Sequence, residues 1–226
     1  MLDAAIMDAL LLSLRLALTT TLILGVLCPF LAWWMVRLTH AQLALVSSLI
    51  TLPLILPPTV LGYYLLVFFA PDSVLGKLFI ELTGTSLSFS FSGLVLGSLI
   101  YSFPFVMQPL IQAYRQFGIA YDQVFMSLGL SPFARFQRVL VPATMSPLLA
   151  GSIIGFAHTL GEFGLILLIG GNIPGETQVL SILLYHEVLL LNYTQANIIA
   201  GILLLCSIVS LFLCHLFQSP PQSIRV

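Results

Sequence analysis

The segment Ala120-Tyr121-Asp122-Gln123-Val124-Phe125-Met126-Ser127-Leu128-Gly129-Leu130-Ser131-Pro132-Phe133-Ala134-Arg135-Phe136-Gln137-Arg138-Val139-Leu140-Val141-Pro142 lies between two long apolar runs. Its local signals describe two short helices. Asp122 is placed to cap the first, and Gly129 is a natural C′ residue to end it. Ser131 caps the second, with Pro132 at its first helical position, and Pro142 marks entry into the next apolar run. Val124, Phe125 and Leu128 share a face of the first helix. Phe133, Phe136 and Leu140 share a face of the second, with Arg135, Gln137 and Arg138 directed elsewhere. An apolar helix face outside a bilayer needs a cover. By pattern alone, a groove in a soluble protein and the membrane surface serve equally well.

The rest of the chain makes the bilayer its main solvent. Of 226 residues, 59% are apolar and 7% charged, against roughly 25% charged in a soluble domain, and the mean hydropathy is +1.12. Such a chain cannot clothe a water-facing surface, and its composition offers nothing for binding nucleic acid. A spanning helix needs about 20 apolar residues. Five runs qualify, near 9–36, 43–70, 90–112, 143–170 and 194–217. The expected fold is therefore an all-α integral membrane protein of about five spans, in a single domain over 1–226. A polar connection over 113–142 contains the quoted segment, and the apolar stretch 178–190 is too short to cross, so it should lie at the interface or re-enter.

Orientation follows from the basic residues. With the N-terminus outside, Arg37, Arg115, Arg135, Arg138 and Arg225 fall inside. Only Arg15 and Lys77 remain on the outer side, Arg15 close enough to the end of the first run to snorkel. The expected arrangement is N-out, C-in, with 120–142 facing the cytosol. Asp3 and Asp8 and a long apolar run argue against a secretory signal at the N-terminus. The short tail from Gln218 leaves no room for a regulatory domain.

Within the spans, Gly93 with Gly97 and Gly151 with Gly155 form GxxxG pairs. These suit close helix packing in the bundle or, alternatively, a subunit interface. Pro53, Pro57 and Pro58 interrupt the second run and should bend it. Broken backbone at membrane depth must face protein or a wet cavity, and in transporters such breaks often mark the substrate path. Glu162 is an acid in an apolar run and should carry a partner or a purpose. His158, four residues earlier, is positioned to pair with it. Thr59, Ser102, Thr159 and Asn172 offer hydroxyl or amide groups suited to a weakly binding polar path. Pro57, Pro58 and Glu162 join them as candidate path or gate residues. Ser152 and His158, six apart on one helix, point different ways and make no protease pair. Cys28, Cys206 and Cys214 show no metal-ligand spacing, and no catalytic or metal-binding set emerges.

The quoted segment resembles the EAA loop of ABC importer permeases. That pattern is Glu-Ala-Ala, three residues, Gly, nine residues, Ile, one residue and Leu-Pro. Here Gln123, Val124 and Phe125 take the Glu-Ala-Ala places, Gly129 takes the glycine, and Val139, Val141 and Pro142 close it, with the spacing kept. The identities depart at Gln123, Val124 and Phe125, beside the acid Asp122. The stretches Gly161-Glu162-Phe163-Gly164, Gly171-Asn172-Ile173-Pro174-Gly175-Glu176-Thr177, Leu56-Pro57-Pro58-Thr59-Val60-Leu61-Gly62-Tyr63 and Ser102-Phe103-Pro104 are similar to those of molybdate permeases. Sulfate permeases share the architecture.

The resemblance implies a type I ABC importer permease in the bacterial inner membrane. It implies that Asp122, Gln123, Val124, Phe125, Leu128, Gly129, Arg135, Arg138, Val139 and Pro142 belong to an ATPase-coupling loop. It further implies a homodimer, two ATP-binding cassette subunits that hold ATP and Mg, and a periplasmic oxyanion-binding protein. The residues agree on one point: no GxxxxGK[ST] phosphate loop is present, the single lysine being Lys77 followed by Leu78. No cofactor is expected on this chain, and energy must come from a partner. Molybdate or tungstate is the expected cargo, with sulfate or thiosulfate as the alternative. A proton-coupled carrier using Glu162 and His158 is the alternative from another class.

Overall fold

The computed structural model describes residues 3–127 and 131–217, the side chains of 117–127 excepted. The described residues form helices α1 (Ala4–Met35), α2 (His40–Ile55), α3 (Pro58–Phe69), α4 (Val74–Thr83), α5 (Phe91–Ser127), α6 (Pro132–Arg135), α7 (Val141–Ala143), α8 (Met145–Gly161), α9 (Gly164–Gly170), α10 (Leu180–Leu189) and α11 (Tyr193–Phe217). A π-helical turn, Phe136–Leu140, joins α6 to α7.

Three of these helices are long and apolar enough to cross a membrane by themselves, α1, the Phe91–Gln116 part of α5, and α11. The expected second span is two helices, α2 and α3, meeting at 108°. Leu56 and Pro57 are extended there, and Pro58 opens α3, because a proline cannot donate to the preceding turn and pushes its predecessor out of the helical region. The expected fourth span breaks twice. The segment Pro132–Ala143 meets α8 at 66°, with the break at Thr144 rather than Pro142. A second break at Glu162–Phe163 separates α8 from α9.

One further expectation needs correction. Asp122 does not cap a separate helix, because α5 runs unbroken for 37 residues, from Phe91 to Ser127. No proline follows Pro109 in it, and the intervening residues are mostly ordinary helix formers. At 1.5 Å per residue α5 is about 55 Å long, well beyond the hydrocarbon core. The outer connection after α3 carries α4, which Ser73 caps by accepting from the Gly76 N–H at 2.8 Å.

The core falls into an outer and an inner cluster, with a smaller third. Leu12 and Leu16 of α1, Leu61, Leu65 and Phe69 of α3, Leu94 of α5 and Leu165, Ile166 and Ile169 of α9 form the outer one. Leu24, Cys28, Ala32 and Met35 of α1 pack with Val106, Met107, Leu110 and Tyr114 of α5 in the inner one. α10 joins α1 and α11 through Leu180, Leu183, Ile6 and Ile199. The glycine pairs serve this packing within the chain. A Cβ on Gly97 would meet Ile169 at 2.3 Å, and one on Gly151 would meet the Phe105 carbonyl at 3.1 Å.

Candidate translocation site and coupling segment

The two proline- and glycine-marked breaks meet each other. A Cβ on Gly164, which opens α9, would lie 3.2 Å from the Pro58 side chain and 3.7 Å from Thr59. One on Gly62 would touch Leu165 and Leu168 of α9 at about 3 Å. α3 and α9 therefore run side by side from their respective breaks, α3 being held there by the absence of side chains at Gly62 and Gly164. At the joint, Pro57 and Thr59 are exposed and Pro58 is half-buried.

Behind this joint sits a band of polar side chains between α5 and α8. Ser102 is fully buried; its Oγ lies 2.9 Å from Thr159 Oγ1 and 3.0 Å from His158 Nδ1. Thr159 also donates to the Gly155 carbonyl at 2.9 Å. The His158 ring packs between Tyr101 and Phe105, with centroids 4.7 and 4.3 Å away. Glu162, 5% exposed, accepts from Ser98 Oγ on Oε2 at 3.5 Å. Its backbone carbonyl accepts from Ser181 of α10, while its Oε1 has no partner.

The His158–Glu162 pairing that their four-residue spacing offers is not formed. Glu162 is the C-cap residue of α8, with φ −70° and ψ 131°, so its side chain leaves the helical face that carries His158, and each group turns to a serine of α5 instead. Asn172 lies apart from this band. It is exposed and accepts from Gln178 Nε2 at 2.7 Å. The loop around it is fixed by Thr177, which donates to the Gly170 carbonyl at 2.7 Å.

Of the path residues expected from sequence, Pro57, Pro58 and Thr59 thus sit at the joint. Ser102, Thr159 and Glu162 sit in the band, and Asn172 in the outer loop. Ser98 and Ser181 were missed. Ser98 and Ser102 stand one helical turn apart, and that i, i+4 hydroxyl spacing facing Thr159 was the available signal.

At the other end, Ser131 caps α6 as expected, accepting from the Ala134 N–H at 3.3 Å. The apolar face expected to seek an external partner is split. Phe136 is 3% exposed and packs on Phe30 and Trp33 of α1, with centroids 4.9 and 4.8 Å away. Leu140 packs on the same cluster, whereas Phe133 remains exposed. Arg37 covers the other side of this stack, 4.0 Å from the Trp33 ring centre. Arg138 and Pro142 are exposed, and Arg135 and Val139 are half-buried. Asp122, Gln123, Val124 and Phe125 lie on the last turns of α5, their side chains outside the description. Leu128 and Gly129 lie outside the described residues.

Bent spans meeting around buried hydroxyls, with a cranked segment at the opposite end, define a multi-pass helical membrane permease. The model of a family described as "Binding-protein-dependent transport system inner membrane component" matches residues 10–219, and the chain belongs to that family. Among curated relatives, it is 41% identical to the molybdenum transport system permease protein ModB of Azotobacter vinelandii, over 89% of both chains. It is 34% identical to the ModB of Escherichia coli K12, over 69% of this chain and 68% of that one. Identity to the sulfate transport system permease protein CysT of Synechocystis is 29%, over 89% of this chain and 70% of that one. Among solved structures, a bacterial alginate ABC transporter in complex with an alginate-bound periplasmic protein superposes with a TM-score of 0.72 at 14% identity. That match covers 95% of this chain and 77% of that one.

Proposed function

We propose that this chain is the membrane-spanning subunit of an ATP-driven importer that carries molybdate across the bacterial inner membrane by alternating access. The observation that carries the reading is the 41% identity to a molybdenum transport permease, sustained over 89% of both chains. The sulfate permeases are more distant, at 28–29%.

In this reading two copies of the chain enclose the path, and a pair of ATPase subunits grips the segment after α5. A periplasmic oxyanion-binding protein delivers the anion from the outer side. The chain itself hydrolyses nothing. Nucleotide-driven movement of the ATPases displaces α6 and the π-helical turn, and Phe136 passes that displacement to α1. Two packed arrangements, each favoured by a different ligand, are what such coupling requires. The joint between α3 and α9 is where the arrangement changes. Each of these helices is short and already broken from its neighbour, so its tilt can change without unwinding a span. The hydroxyls of Ser102 and Thr159 are neutral and held by protein partners, so they can turn to an anion that must also leave only when the helices around them rearrange. An ionised Glu162 would repel a divalent anion, and the residue serves instead to tie helices together, its side chain to Ser98 of α5 and its backbone carbonyl to Ser181 of α10. His158 bonds Ser102 and not Glu162, so the two groups of the carrier alternative make no direct pair.

Co-purification with an ATPase, followed by ATPase measurements with the binding protein loaded in turn with molybdate, tungstate and sulfate, tests the proposal. Stimulation by the molybdate form is expected. Stimulation by sulfate alone would move the cargo to the sulfate class. Proton-driven uptake by this chain without any ATPase would overturn the reading.

A further inference from the structure

α4 leaves the outer end of α3 in a fixed direction. Ser73 Oγ donates to the Phe68 carbonyl at 2.6 Å and accepts from the Gly76 N–H at 2.8 Å. A Cβ on Gly76 would come within 2.0 Å of the Ala70 carbonyl oxygen, so only glycine permits so close a turn. The level of this turn in the bundle is set by Ser88, just ahead of α5, which donates to the Phe69 carbonyl at 2.8 Å. Arg15 lies over the ring of Phe91, the first residue of α5, at 4.4 Å. From Arg15 to its last residue, Met35, α1 runs about 30 Å, close to the thickness of a bilayer core, and Arg37 follows two residues beyond that end. α4 therefore sits where the hydrocarbon ends.

At 100° per residue, α4 divides into three sectors. Gly76, Phe79 and Ile80 face the protein: Gly76 is buried and Phe79 packs on the outer core. Lys77 and Glu81 form an exposed polar edge. Between these lies an unpartnered apolar arc, Val74 at 88% exposure, Leu78 at 51%, Leu82 at 75% and Leu75 at 43%. It continues the exposed apolar end of α3, where Val67 and Phe68 are 52% and 60% exposed. A helix with protein on one side, charge on another and aliphatic side chains on a third, lying at the bilayer edge, has the pattern of an interfacial membrane helix.

We propose that α4 is a membrane-surface helix whose Val74, Leu75, Leu78 and Leu82 face is inserted among outer-leaflet lipids, holding α3 at a set depth through the rigid Ser73–Gly76 turn. The proposal depends on the chain spanning a membrane and not on its cargo.

The test places a nitroxide on single cysteines at Leu78, Leu82, Lys77 and Glu81, in a Cys28→Ala, Cys206→Ala, Cys214→Ala background. The protein is studied in phospholipid nanodiscs, and collision with oxygen is compared with collision with a water-soluble nickel chelate. The expected result is a several-fold preference for oxygen at 78 and 82, reversed at 77 and 81. Equal nickel access at Leu78 and Lys77 would place the arc in water and overturn the proposal. Exclusion of both relaxants at 78 and 82 would overturn it too, since a second copy or a bound protein would then be the cover.

Discussion

The outer and inner halves of this molecule use opposite constructions. The outer half is made of short pieces, α3, α4, α9 and α10, stitched by glycine contacts and serine hydroxyls. The inner half is made of continuous lengths of α1 and α5, packed through one apolar cluster, with the π-helical turn locked onto α1 by an aromatic stack of Phe30, Trp33 and Phe136. A stack of large rings can transmit a push because it is close-packed and has few alternative arrangements. A set of short helices touching through absent side chains can slide or tilt at small cost. The contrast separates a lever from a gate, and each half can be tested as such.

The largest effect is expected from Phe136→Ala. Removing a buried phenyl ring costs about 3–5 kcal/mol, and here the loss falls on the residue whose ring stacks the π-helical turn against α1. Thermal unfolding of the purified protein should shift down accordingly, and ATPase activity in the assembled transporter should no longer respond to the loaded binding protein. A Phe136→Leu variant, which keeps most of the volume, should recover stability more than coupling. If both variants remained fully coupled, the stack would not be the lever.

Next comes Gly97→Val, in the outer half. The first added carbon already overlaps Ile169 and Leu165, at 2.3 and 2.9 Å. These are flexible side-chain ends, so α9 can yield, at an overpacking cost of about 1–3 kcal/mol. The displacement should fall on α9 and its joint with α3, so uptake should drop more than thermal stability does. A variant that lost stability and kept its uptake per folded molecule would remove α9 from the gate.

How much of this was legible beforehand differs between the halves for physical reasons. The α2–α3 break was readable because Pro57 and Pro58 forbid continuity in any environment. The α8–α9 break was not, since Gly161-Glu162-Phe163-Gly164 contains no obligate breaker and the turn is held by distant partners, Ser98 and Ser181 on Glu162 and Pro58 against Gly164. The Ser131 cap was readable, being a local interaction with a neighbour three residues on. The continuity of α5 through Asp122 was misread, because a good capping residue is also tolerated inside a helix when nothing stops it. The burial of Phe136 against α1, a hundred residues away in sequence, leaves no local trace. A periodic pattern shows that a face is apolar and says nothing of whether its cover comes from the same chain. For the same reason the inner segment looked like a wholly external handle, while half of its apolar face belongs to the core.

A smaller effect is expected from Ser131→Ala. The hydroxyl satisfies the Ala134 N–H, and loss of such a cap costs about 1 kcal/mol. Because α6 has only four residues, the cost should appear as faster hydrogen exchange over 132–143 rather than as a shift in global unfolding. Stimulated ATPase activity should fall modestly. Unchanged exchange there would mean that the aromatic stack alone fixes the segment, which would sharpen the picture of a lever held at one point.

The smallest effect should come from Glu162→Gln, and its smallness is the point. If Glu162 ties helices together, what matters is an acceptor for Ser98 and the backbone carbonyl for Ser181. An amide supplies the first, and the second is untouched by the substitution. The amide has the shape of the carboxyl group and keeps the oxygen that Ser98 bonds, so stability should stay close to that of the parent. ATP-driven uptake should stay close to that of the parent, and its pH profile should not move. Glu162→Leu, which abolishes the acceptor and leaves Ser98 unsatisfied at the α5–α8 contact, should lose uptake while still inserting. Abolition of uptake by the glutamine variant, with the protein folded and assembled, would instead require an ionisable group at that position. The outer half would then hold a proton-handling site rather than a passive joint.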